Sequence, residues 1–132
     1  MYYLKDYNTK TNCCELYVDK VKVDTDVYTS SDVYGFVLKN SMVLYYTDVN
    51  DKKRIGTLKL FKDGETTKIA DDVTLPLADV DGDGTVLYLT DYSQKKYVGD
   101  LYRWRNGKTE KIEEDVANVC LPSDGFLYSN YF

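Results

Sequence analysis

The apolar positions of the chain fall in short runs separated by turns rich in Asp, Asn, Gly and Lys. Val86-Leu87-Tyr88-Leu89 carries no alternating polar position, the pattern of a strand buried on both faces. A polar turn over Asp91 to Lys96 follows, then a second run from Gly99 to Arg105. That run ends at Asn106-Gly107, a pair that tolerates positive φ at both centres of a type I′ hairpin turn. Asp63-Gly64 occupies the same place one repeat earlier. Thr109-Glu110-Lys111-Ile112 predicts a short polar edge strand, and Ala117–Leu121 a small-residue strand leading onward. No segment carries a helical apolar stripe, which excludes solenoids of helix pairs.

The pattern repeats. Shifting the chain by 43 positions aligns 43–73 with 86–116 without a gap, and 15 of the 31 pairs are identical. Conservative pairs extend the match: Ile55 with Val98, Phe61 with Trp104, Lys62 with Arg105 and Asp63 with Asn106. Worn copies flank this pair, in Tyr2–Tyr7 with Glu15–Val18 and in Asp124–Tyr128. The array therefore predicts units of about 1–42, 43–85 and 86–125, with 126–132 starting a further one. Four strands per 43 residues predicts an all-β fold of propeller-type repeats, about three four-stranded blades.

Leu44-Tyr45-Tyr46-Thr47-Asp48, followed by Ile55 and Lys62-Asp63-Gly64, resembles the YWTD repeat of lipoprotein-receptor-like propellers. Leu87-Tyr88-Leu89-Thr90-Asp91, with Val98 and Asn106-Gly107, keeps the same skeleton. Tyr46 and Leu89 stand where that family has tryptophan, and the last copy has Ser129-Asn130 in place of Thr-Asp. The chain is equally similar to propeller repeats of bacterial cell-envelope proteins. The resemblance implies six or more blades per ring, a recognition role toward proteins or glycans, and an extracellular or cell-envelope setting.

Charge and composition narrow the chemistry. The formal charge of −5 opposes a nucleic-acid partner, and Lys52-Lys53 and Lys95-Lys96 read as solvated turn tips. No long apolar run predicts a transmembrane segment, and MYYLKDYNTK lacks the features of a signal peptide. The absence of histidine removes the commonest general base and zinc ligand. Three cysteines, two of them adjacent, do not read as a disulfide framework; Cys13 and Cys120 fall at apolar strand positions as small buried hydrophobes.

Three constellations remain. Asp79-Val80-Asp81-Gly82-Asp83-Gly84 fits the start of a calcium loop, with Asp79, Asp81 and Asp83 as ligands and Leu87 and Thr90 where closing ligands belong. The alternative is a polar link between strands. Asp48 and Asp91 could be read as a catalytic carboxylate pair, but their recurrence in each copy favours a structural role in which the carboxylate accepts backbone hydrogen bonds. The recurring Tyr3, Tyr45, Tyr88 and Tyr128 are expected to pack between repeats. The unrepeated Tyr28, Tyr34, Tyr92, Tyr97 and Tyr131 are surface candidates, with Tyr92, Tyr97 and Tyr131 assigned to a ligand face.

The resulting expectation is a non-enzymatic recognition or scaffold module for protein or glycan, with no cofactor unless the Asp79–Asp83 loop takes calcium. The rival is a carboxylate-based or calcium-dependent hydrolase or lyase on the same scaffold. About three blades are too few for a ring, so either a homo-oligomer completing a six-bladed ring or a piece of a longer propeller is expected.

Overall fold

A computed structural model describes residues 1–29 and 36–119. Ten strands and no helix occur among them: β1 (Tyr2–Asn8), β2 (Cys13–Val18), β3 (Val21–Tyr28), β4 (Phe36–Lys39), β5 (Met42–Asn50), β6 (Ile55–Lys62), β7 (Glu65–Val80), β8 (Val86–Ser93), β9 (Val98–Arg105) and β10 (Lys108–Val116). They form two open antiparallel sheets, one of order β1-β2-β3 and one of order β10-β9-β8-β7-β6-β5-β4. No helix is long and apolar enough to cross a membrane among the described residues.

Turn chemistry sets the register. Asp63-Gly64 and Asn106-Gly107 close their hairpins with both central φ values positive, as the sequence predicts. Asp19-Lys20 and Asn40-Ser41 do the same without a glycine, at φ between 46° and 71°. At the opposite strand ends a different loop recurs three times. The amides of Asn12, Arg54 and Tyr97 donate to the carbonyls of Asn8, Asn50 and Ser93 at 2.7–2.8 Å. Each donor sits at positive φ, and the Asn8, Asn50 and Ser93 side chains cap amides inside the loop. Lys52-Lys53 and Lys95-Lys96 lie in these loops, exposed.

Asp6, Asp48 and Asp91 precede these loops at φ of 51–55°, each at a bulge where the strand register jumps. Asp48 and Asp91 are exposed, and each carboxylate reaches only the hydroxyl of the preceding threonine, at 3.4 Å. Their recurrence is structural, but it works through left-handed backbone geometry and not through the carboxylate-to-amide bonds that the sequence suggested. The bulge also accounts for Gly99 opposite it. A Cβ there would meet the Thr90 carbonyl at 2.8 Å, and one at Gly56 would meet the Val49 side chain at 2.8 Å and the Thr47 carbonyl at 3.2 Å.

β7 reverses direction within itself. Residues 65–74 pair with β6, whereas 73–80 pair with β8, and the register slips between Val73 and Ala78. A straight 16-residue strand would hold its ends about 50 Å apart. Yet Lys62, which pairs with Glu65 at one end, donates to the Asp83 carbonyl just past the other end at 3.0 Å. The fold-back lies near Asp72, at φ 54°, and the cis Leu75–Pro76 peptide. β7 is thus the last strand of one repeat copy and the first of the next, so the four-stranded sets expected as separate sheets are hydrogen-bonded into one.

Folding back stacks the copies face to face. Along β5, Met42, Leu44 and Tyr46 enter a core shared with Leu58, Leu60, Val73, Val80, Val86 and Tyr88. The alternate residues Val43 and Tyr45 enter a second core with Cys14, Leu16 and Val27 of the three-stranded sheet. Both faces of β5 are therefore covered, as its unbroken apolar run requires. Each fully buried Leu or Val contributes about 1.5–3 kcal/mol. Buried Tyr46 donates to the Thr74 carbonyl at 3.0 Å, and burial pushes its phenol far above the ordinary range. Asp24 joins the sheets by accepting from Tyr45 at 2.9 Å and Lys59 at 3.0 Å.

β10 is exposed along nearly its whole length and forms a sheet edge, as its polar sequence predicts. Residues 117–119 of the expected strand Ala117–Leu121 are not in a strand; its remaining residues, with Tyr34, Cys120, Tyr128, Tyr131 and the unit starting at 126, lie outside the described residues. Tyr28 is corrected from surface candidate to core. It is 2% exposed, because β3 carries it under the second sheet, where its hydroxyl donates to Asp51 at 2.9 Å.

Candidate functional site: a groove at the hairpin tips

The strand alternation places the β2–β3, β4–β5 and β6–β7 turns and the 81–85 loop at one end of the stacked sheets. Between them lies a groove of about 780 Å³. Its floor is Tyr2, Val23, Met42 and Phe61, and its rim is Lys22, Asn40, Ser41, Lys62, Asp63 and Thr66. Tyr2 reaches it because β1 pairs with β2 in a register that sets Tyr2 opposite Val18. Phe61 reaches it from the end of β6, opposite Thr66. Both aromatics pack against the core between the two sheets, which fixes their position.

The rim charges are mixed. Lys22 bonds Glu15 at 2.9 Å, which raises the ammonium pKa and lowers that of the carboxylate through the shared hydrogen bond. Lys62 is held on the Asp83 carbonyl. Asp63 occupies the turn that the sequence assigns to it. Aromatic faces, ammonium, carboxylate, amide and hydroxyl groups thus converge on one concavity, a composition suited to binding polar ligands with apolar patches.

Asp81 Oδ1 accepts the amides of Asp83 at 2.9 Å and Thr85 at 3.0 Å, closing the 81–85 turn on itself. Asp79 Oδ1 accepts the amide of Val80 at 2.8 Å, and Asp83 is exposed. Among the described residues no group of three or more His, Cys, Asp or Glu side chains is arranged to hold a metal. The Lys62 ammonium, 2.9 Å from where a Gly84 Cβ would stand, lies against this loop.

The predicted tyrosine face and the groove are separate. Tyr97 is 66% exposed at the end of the 93–97 loop, and half-buried Tyr92 lies against Gly99 nearby. Neither lines the groove. Asp48 and Asp91 sit at equivalent bulges in different copies and also lie outside it. Tyr2, Lys22, Phe61 and Lys62 are among the groove residues to which the sequence assigned no binding role. The available signal was the pairing of Phe61 with Trp104 beside a type I′ turn. Cys13 is half-buried and Cys14 buried, and burial pushes the Cys14 thiol up to about 11.

Comparison with protein-family models, with curated proteins and with solved structures finds no significant match to this chain.

Proposed function

We propose that the chain is a non-enzymatic recognition module of the β-propeller type that binds protein or glycan in the groove at its hairpin tips. The observation that carries this reading is the groove itself, about 780 Å³ of concave surface in which Tyr2 and Phe61 are fixed by the core beneath them. Rigid aromatic area flanked by hydrogen-bonding groups binds a sugar face or a peptide side chain at small entropic cost. The propeller component is supported by the threefold recurrence of the capped loop, by face-to-face stacking of the copies, and by the fold-back of β7 from one copy into the next. Such a scaffold leaves its turns free to vary while the strands keep the blades in place.

The test is a glycan and peptide array, followed by amide chemical-shift mapping of the strongest binder. Shifts are expected at residues 22–23, 40–42 and 61–66, and Phe61→Ala should weaken binding at least tenfold. Shifts confined to the 93–97 loop, or turnover of the bound glycan or peptide, would refute it.

A further inference from the structure

The four charged side chains that line the groove, Asp19, Lys22, Lys62 and Asp63, sum to zero. Two of them are already engaged: Asp19 accepts from the Met1 amine at 2.7 Å, and Lys22 donates to Glu15 at 2.9 Å. Lys62 and Asp63 are left, and among the described residues neither has an ion-pair partner. They are neighbours in the chain, so a ligand group that reaches one lies in the field of the other. A carboxylate or sulfate would gain from Lys62 and be opposed by Asp63, and an ammonium would meet the reverse. A hydroxyl donates to the carboxylate and accepts from the ammonium, so both favour it.

The other rim groups have the same two-way character, since the Asn40 amide and the Ser41 and Thr66 hydroxyls each donate and accept. The wall between them is held in place. Lys62 spends one of its three donors on the Asp83 carbonyl at 3.0 Å, and the Asn40 amide lies against Gly82, 2.7 Å from where a Cβ would stand. Below the rim Tyr2 and Phe61 are half-buried, packed on the core between the sheets and lining the groove with the remainder of their rings. β3 and β10, the described strands ahead of residues 30–35 and 120–132, both run away from the groove. They end at Tyr28 opposite Cys13 and at Val116 opposite Gly99, beside the capped loops.

We propose that the ligand of this groove is an uncharged oligosaccharide, with a sugar ring stacked on the Tyr2–Phe61 floor and its hydroxyls bonded to the Lys62–Asp63 rim. A pyranose ring presents apolar C–H groups on its face and hydroxyls around its edge, which matches an aromatic floor inside a rim that both donates and accepts. The proposal rests on the groove being the binding site and narrows protein or glycan to one class. Because the ligand carries no charge, its affinity should change by less than about twofold between about 50 and 500 mM sodium chloride.

Calorimetry and amide chemical-shift mapping on the full chain test this, with cellohexaose, maltohexaose and chitohexaose as neutral probes and hexagalacturonate as the acidic one. At least one neutral probe is expected to shift the amides of residues 22–23, 40–42 and 61–66 with that flat salt dependence. Asp63→Asn keeps a residue that tolerates the positive φ and should weaken binding at least about threefold, because an amide is a poorer acceptor than a carboxylate. Lys62→Met should weaken it about tenfold. Tighter binding of hexagalacturonate, or tighter binding of the neutral probe by Asp63→Asn, overturns the uncharged class and leaves the groove standing. Absence of groove shifts with every neutral probe at about 10 mM overturns it as well. Shifts confined to another surface overturn the groove itself, and this proposal with it. Should Lys62→Met disturb the 81–85 wall that Lys62 holds, Asp63→Asn and the salt series decide the matter.

Discussion

Asp91 separates a backbone role from a carboxylate role with one set of substitutions. Its φ of 51° lies in the left-handed region, where a residue with an ordinary Cβ is strained by about 1–2 kcal/mol and Asn or Asp by less. Its carboxylate contributes one long contact, to the Thr90 hydroxyl at 3.4 Å, in an exposed position. Asp91→Asn should therefore change stability by less than about 0.5 kcal/mol. Asp91→Ala should cost about 1 kcal/mol, and Asp91→Val about 2, because β-branching adds to the left-handed strain. Asp91→Gly removes the strain but adds about 0.5–1 kcal/mol of unfolded-state entropy, and should come out near zero. Thermal unfolding followed by circular dichroism resolves these differences, since 1 kcal/mol moves the melting temperature by about 3–5 °C in a domain of this size. If Asp91→Asn costs as much as Asp91→Ala, the charge and not the backbone is what the repeat preserves, and the reasoning fails.

Three further outcomes follow from other sites. Gly99→Ala should destabilise by about 1–3 kcal/mol, because its Cβ would stand 2.8 Å from the Thr90 carbonyl and the strands must part; an unchanged urea midpoint refutes the close approach. Asp81→Ala strips acceptors from the amides of Asp83 and Thr85 and should cost about 1–2 kcal/mol, whereas millimolar calcium should leave the melting temperature of the parent unchanged; a calcium-dependent rise would mean that the loop rearranges into a cage. The Cys14 thiol titrates near 9 when unfolded and about 11 when folded, so the folded state binds the proton more tightly. Stability is then full below pH 9 and falls as pH rises toward 11, and Cys14→Val should flatten that part of the curve. A slope unchanged by the substitution assigns the effect to the tyrosines.

The strands were legible because their apolar runs are short, β-branched or aromatic, and bounded by turn residues. The Asp63-Gly64 and Asn106-Gly107 turns were legible because glycine at positive φ has few other uses. Asp19-Lys20 and Asn40-Ser41 adopt the same turn with no such marker, and only the pairing of the flanking strands forces them into it. The fold-back of β7 was hidden for a related reason: which neighbour each half chooses is decided by tertiary stacking. The groove was illegible because it belongs to no single segment. Tyr2 and Phe61 lie 59 positions apart and meet only when the two sheets pack. The spacing of the Asp79–Asp83 run did not show that the Asp81 carboxylate accepts two amides of its own turn.

Because β7 serves two copies at once, the segment that was duplicated and the segment that can come apart are not the same. The repeat is 43 residues long, but a cut between its units at 85 and 86 parts β7 from β8. Strands β4 to β10 are hydrogen-bonded as one block, whereas the three-stranded sheet, joined to them by side-chain packing, the Asp24 bridge and the Tyr28–Asp51 hydrogen bond, should detach first. In native-state hydrogen exchange the amides of β2 should then exchange through a smaller opening than those of β6, although the two strands occupy the same place in the repeat.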